Sequence, residues 1–111
     1  MDGISKESEK KLSQLQMLEQ SMQSLLMQKQ QFQMQQVELE SALKELERVE
    51  EAYKIVGNIM VLSKKSELKE ELNSKKEVID LRIKNLEKQE NQLREKASKL
   101  QSEILKEMGQ D

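Results

Sequence analysis

Apolar residues along this chain follow a three-and-four spacing twice, with an interruption between. In the first stretch Leu18, Leu25, Phe32, Leu39 and Leu46 recur at every seventh position, and Leu15, Met22, Lys29, Gln36 and Leu43 stand three residues ahead of them. These are the d and a positions of a heptad. In the second stretch Leu72, Ile79, Leu86, Leu93 and Leu100 take d, with Lys76, Ile83, Glu90, Ala97 and Ile104 at a. The pattern predicts a helix over 5–51 and another over 66–108. Ser5 is suited to cap the first, Ser66 followed by Glu67 and Glu70 to start the second, and Gly109 to end it. Nothing marks the end of the first helix near Glu51. At ~1.5 Å per residue each helix is expected to run roughly 60 to 70 Å, an arm rather than a globule.

Between the two stretches, YKIVGNIMVL from Tyr53 to Leu62 almost abandons charge. Its β-branched and aromatic runs flank Gly57-Asn58, a dipeptide suited to a two-residue turn that needs positive φ at its first position. The segment 53–62 is therefore expected to be a β-hairpin, which returns the second helix antiparallel to the first. Centred on that turn, the heptads place Leu15 opposite Leu100, Leu18 opposite Ala97, Met22 opposite Leu93, Phe32 opposite Ile83 and Leu43 opposite Leu72. Lys29 and Glu90 fall in adjacent layers, close enough for their charged ends to meet at the rim. Across the turn, Val56 pairs with Ile59 and Lys54 with Val61 on one face, Ile55 with Met60 and Tyr53 with Leu62 on the other. Both faces are largely apolar. A lone two-stranded hairpin is marginal in water, and unpaired apolar edges invite further strands. The hairpin is read as an assembly element donated by several chains to a common sheet or barrel.

Composition narrows the field. Of 111 residues only 35% are hydrophobic and 2% aromatic, against 36% charged, which is too little to fill a large globular core. The 19 basic and 21 acidic residues are mixed along the chain and give a net charge of -2, so there is no basic field to displace counterions from nucleic acid. No segment approaches the ~20 apolar residues that span a bilayer, and the expectation is a soluble, cytoplasmic protein without a nucleic-acid or membrane partner. Histidine and cysteine are absent, and none of the three glycines opens a phosphate loop. No catalytic site, cofactor or metal site is expected. Paired carboxylates such as Glu50-Glu51 and Glu70-Glu71 read as solvated helix faces rather than acid–base machinery.

The QKQ segment Gln28 to Gln30, the hairpin YKIVGNIMV from Tyr53 to Val61 and the run LRIKNLEKQENQL from Leu81 to Leu93 together resemble the beta subunits of prefoldin, of archaeal type, over essentially the whole chain. One hairpin rather than two is similar to the beta class, not the alpha class. Asn58 stands where many members have proline. The resemblance implies a single domain over 1–111 in an ATP-independent co-chaperone, also called GimC, that needs no cofactor. It implies a heterohexamer of two alpha and four beta subunits whose hairpins form an intersubunit β-barrel. The coiled-coil tips would hold unfolded polypeptides and deliver them to a group II chaperonin.

Both helix ends fall together in an antiparallel pair. There Leu12, Met17, Leu26, Met27, Leu105 and Met108 lie outside the a/d seam and are expected to be exposed, as client-binding residues; scattered surface hydrophobes are the plainer reading. Methionine is flexible and polarisable, which suits weak contact with many apolar sequences. Met34, Val37, Val78 and Leu81 are also off the seam and are read as packing against neighbouring subunits. The assembly residues are Tyr53, Ile55, Val56, Gly57, Ile59, Met60, Val61 and Leu62. The glutamine-rich run Gln20 to Gln36 keeps its heptad and reads as helix rather than a prion-like tract. A coiled-coil scaffold indifferent to unfolded protein is the alternative function, and an RNA-binding helical arm a third that the balanced charge disfavours.

Overall fold

The computed structural model describes residues 5–109, so the outermost residues of the expected 1–111 domain fall outside it. Two long helices enclose a two-stranded hairpin: α1 (Lys6–Arg48), β1 (Ala52–Val56), β2 (Ile59–Ser63) and α2 (Lys65–Glu107). Contacts divide the chain into two compact units, one formed by residues 30–84 and the other by the segments before and after it.

Local chemistry explains three of the four helix ends. The Ser8 backbone N–H donates to Ser5 Oγ at 3.0 Å, an N-cap at the position expected, and Glu7 and Glu9 in the first turn complement the helix dipole. At the far end of α2, Gly109 adopts φ 75° and donates its N–H to the Lys106 carbonyl at 3.0 Å, the left-handed cap that favours glycine. The start of α2 differs from expectation. Because the strand ladder continues to Ser63, Lys64 is left as the only linker, and its carbonyl accepts the Leu68 N–H at 3.0 Å. Lys64 thus takes the cap position, and Ser66 lies inside the first turn. At the other junction α1 stops at Arg48, short of Glu51, and Val49 to Glu51 lead into a ladder that begins at Ala52.

The hairpin pairs Ala52 with Ser63, Tyr53 with Leu62, Lys54 with Val61, Ile55 with Met60 and Val56 with Ile59. Gly57 has φ 62° while Asn58 is not positive, the φ pattern of a type II′ turn. A Cβ on Gly57 would meet nothing within 4 Å, so only backbone conformation selects glycine there.

The helix seam follows the heptads. In the hairpin-bearing unit Leu46, Ile79 and Ile83 are buried, with Phe32, Leu39, Leu43 and Leu72 half-buried. In the other unit Leu86, Ala97 and Ile104 are buried, with Leu15, Leu18, Met22 and Leu25 half-buried. Half-burial is what a two-helix seam provides, since each knob is covered from one side only.

Polar contacts between the helices fix the register. Lys29 Nζ meets Glu90 Oε1 at 3.4 Å, as the adjacent-layer placement predicted. Gln36 donates to Asp80 at 2.6 Å, Lys76 reaches Glu40 at 3.6 Å, and Arg82 lies 5.6 Å from the centre of the Phe32 ring. Ser8 and Glu107, equally distant in sequence from the Gly57-Asn58 turn, are hydrogen-bonded at 2.6 Å. A slip of one heptad would shift such partners by roughly 10 Å.

Candidate functional surfaces

Two surfaces carry apolar side chains that the chain does not cover, one in each unit. The first is a face of the hairpin. Strand alternation sends Ala52, Lys54 and Val56 one way and Tyr53 and Ile55 the other. Ala52 is buried, Lys54 and Ser63 are half-buried, and Lys54 Nζ lies 3.0 Å from both carboxylate oxygens of Glu71 on α2. The base of that face is therefore turned toward the chain's own helix. On the opposite face Tyr53, Ile55, Met60 and Leu62 are between 55% and 70% exposed. Val56 and Ile59, next to the turn, are exposed as well, and Val61 marginally so. The sequence gives two apolar faces; the folded chain leaves one of them entirely open and partly occupies the other.

Glu71 is held below the usual carboxylate range, first by its hydrogen bond to Lys54, with smaller contributions from charge on Lys54 and Lys75. Nearby, Lys69 pairs with Glu47 at 2.6 Å and Lys65 Nζ donates to the Glu47 carbonyl at 3.3 Å, which ties the start of α2 to the end of α1 below the hairpin. Met34, Val37, Val78 and Leu81 of this unit are all more than half exposed. An open groove of about 670 Å³ runs between the helices, lined by Phe32, Leu39, Ala42, Val78, Ile79 and Arg82. Heptad counting alone does not reveal it, because the groove lies beside the seam.

The second surface belongs to the unit that contains the start of α1 and the end of α2. Met17 and Met27 are strongly exposed, and Leu26, Leu105 and Met108 moderately so. Met17 also borders an open groove of about 530 Å³ with Leu18, Ser21, Lys99, Leu100 and Glu103. Leu12 is the exception among the expected residues. It is half-buried, because its position immediately flanks the seam, where coiled-coil side chains are partly covered.

Beside these apolar residues lies a polar clasp. Ser8, only 1% exposed, donates from Oγ to Glu107 Oε2 and receives the Ser5 hydroxyl at 3.1 Å. Lys11 pairs with Glu107 and reaches Glu103 at 3.4 Å. The Lys11 hydrogen bond, then that of Ser8, holds the Glu107 carboxyl below its ordinary range, while Glu107 raises Lys11. Heptad counting does extend to Ser8 and Lys11, at a and d, but their polarity hides them from a search for apolar spacing.

Among the described residues no helix is long and apolar enough to cross a membrane, and no cluster of acidic side chains is arranged to hold a metal ion.

A family profile described as prefoldin subunit matches residues 9–111. The chain is 40% identical over 96 residues to the prefoldin subunit beta of Archaeoglobus fulgidus, covering 84% of this chain and 83% of the relative. It is 34% identical over 111 residues to that of Methanospirillum hungatei, covering 97% and 92%. The crystal structure of the prefoldin beta subunit from Thermococcus strain KS-1 superposes with a TM-score of 0.93 at 32% identity, covering 97% of both chains.

Proposed function

Because the chain belongs to the prefoldin subunit family, we propose that it is a beta-type subunit of an ATP-independent co-chaperone that captures unfolded polypeptide at its helix ends. The observation that carries this reading is the exposure of Met17, Met27, Leu105 and Met108 in the unit where the two helices terminate. A two-helix seam has no use for them. Thioether and leucine side chains adapt to many apolar sequences without demanding one shape. Weak contacts repeated on several subunits reinforce one another through effective concentration, so no single set needs to bind tightly.

Assembly supplies the repetition. The open hairpin face of Tyr53, Ile55, Met60 and Leu62 is suited to pack in an apolar layer shared with other subunits, whose strands would join the hairpin at its edges, in a heterohexamer of two alpha and four beta chains. Clients held at the helix ends then pass to a group II chaperonin in the cytoplasm. None of these steps calls for catalysis or a cofactor.

The test is aggregation of a chemically denatured client protein, followed by light scattering, with this chain mixed with an alpha-type subunit. Suppression at stoichiometric hexamer, without ATP and at both low and high salt, is the expected result. Indifference to the denatured client would favour a coiled-coil scaffold instead.

A further inference from the structure

The hairpin poses a problem of choice. Both of its faces carry apolar side chains, Val56, Ile59 and Val61 on one and Tyr53, Ile55, Met60 and Leu62 on the other, and hydrophobic burial does not distinguish them by direction. Only short links, Val49 to Glu51 on one side and Lys64 on the other, join the strands to the helices. Something must decide which face is turned inward.

We infer that the ion pair between Lys54 and Glu71 selects the face of the hairpin offered for assembly, a positioning role for two residues that themselves stand outside the assembly surface. Lys54 is the only charged residue in either strand. Strand alternation puts it on the face shared with Ala52 and Val61, and its ammonium lies 3.0 Å from each oxygen of Glu71. The pair is partly shielded, with side chains 42% and 35% exposed, and Ala52 is buried on the same face. Turning the hairpin over would separate Lys54 from Glu71, place an ammonium among the apolar groups of an intersubunit surface, and bring Tyr53 and Ile55 to the position of Ala52. A buried, unpaired charge is strongly disfavoured. The geometry thus admits one facing and penalises the other. Lys75, 3.7 Å from Glu71, supplements the pair but cannot replace it, because both of these residues lie on α2 and their contact is the same whichever way the hairpin faces.

This inference rests on the reading of the hairpin as an assembly element, and its test separates the two. The chain has no cysteine, so Ile55→Cys supplies a single thiol on the open face. In the hexamer formed with an alpha-type subunit, this thiol should react with a maleimide at least tenfold more slowly than in the free chain. Adding Glu71→Gln or Lys54→Met should restore most of the free-chain rate, or raise at least tenfold the concentration at which the hexamer dissociates. The charge-reversed pair Lys54→Glu with Glu71→Lys should recover slow labelling. Circular dichroism of the free chains serves to show that the helices are retained. If the thiol is protected in the parent and equally protected in both single variants at unchanged dissociation, the selector role is overturned while the assembly reading stands. If the thiol labels freely in the parent hexamer, the assembly reading fails and the selector role with it.

Discussion

Glu107 illustrates how a single side chain organises the end of a helix pair. Its carboxylate accepts from the buried Ser8 hydroxyl and pairs with Lys11, which also reaches Glu103. Removing the charge with Glu107→Gln leaves Ser8 with a weaker acceptor and Lys11 with only Glu103. The expected outcome at neutral pH is faster amide exchange around Ser8 and Ile104 than in the parent, with the hairpin unaffected. The pH dependence follows from the directions of the shifts. Glu107 is depressed when folded, so its contribution is fully present above the ordinary glutamate range, about 4.3, and is lost as pH falls through the lower folded value. Lys11 is raised when folded, so its contribution is present below the ordinary lysine value, about 10.4, and is lost as pH rises beyond it. The difference between parent and variant, compared at matched pH, should therefore persist across the neutral range and shrink as pH falls below the ordinary glutamate range and through the depressed folded value. Equal exchange at neutral pH would remove the clasp from the account.

At the scale of elements, burial tracks the heptads, and this decides which substitutions matter. Ile83 is buried in its unit's seam at 8% exposure, whereas Met34 of the same unit, outside the seam, is 65% exposed. Ile83→Ala is expected to cost about 2 to 4 kcal/mol, as transfer and cavity terms combine, while Met34→Ala should stay within about 0.5 kcal/mol. Thermal and urea unfolding of the two variants measures the contrast; similar losses would mean that the seam does not dominate stability. The heptads and the glycine turn were legible in the sequence because both depend on local periodicity and φ preference, and the Lys29–Glu90 contact followed from the resulting layers. The element junctions were less legible. By sequence Ser66 is the suitable cap, but the ladder extends to Ser63 and hands that position to Lys64. Leu12 looked exposed on the heptad wheel, yet it stands close enough to the seam to be half-covered. The Lys54–Glu71 pair is not legible in the sequence, because it depends on how the hairpin leans on α2, a tertiary fact that neither the period of a strand nor that of a helix contains.

At the scale of the whole molecule, the proposed function assigns assembly to the hairpin-bearing unit and client contact to the unit with the helix ends, and the division can be tested by disabling one without the other. Met17, Leu105 and Met108 all lie in the unit with the helix ends, outside the buried seam and away from the clasp's hydrogen bonds. Changing the three together to serine is therefore expected to leave helix content and hexamer formation intact. In the proposed hexamer, with four such subunits, the change removes apolar contact from every copy at once, so losses that single substitutions conceal through multivalency become visible. The measurement is light scattering by a denatured client in the presence of parent or triple-variant hexamer at equal concentration, with sedimentation confirming assembly. The variant is expected to lose most of its protection, requiring roughly tenfold more hexamer for the same suppression. An intact hexamer that protects the client as well as the parent does would contradict client contact at the helix ends.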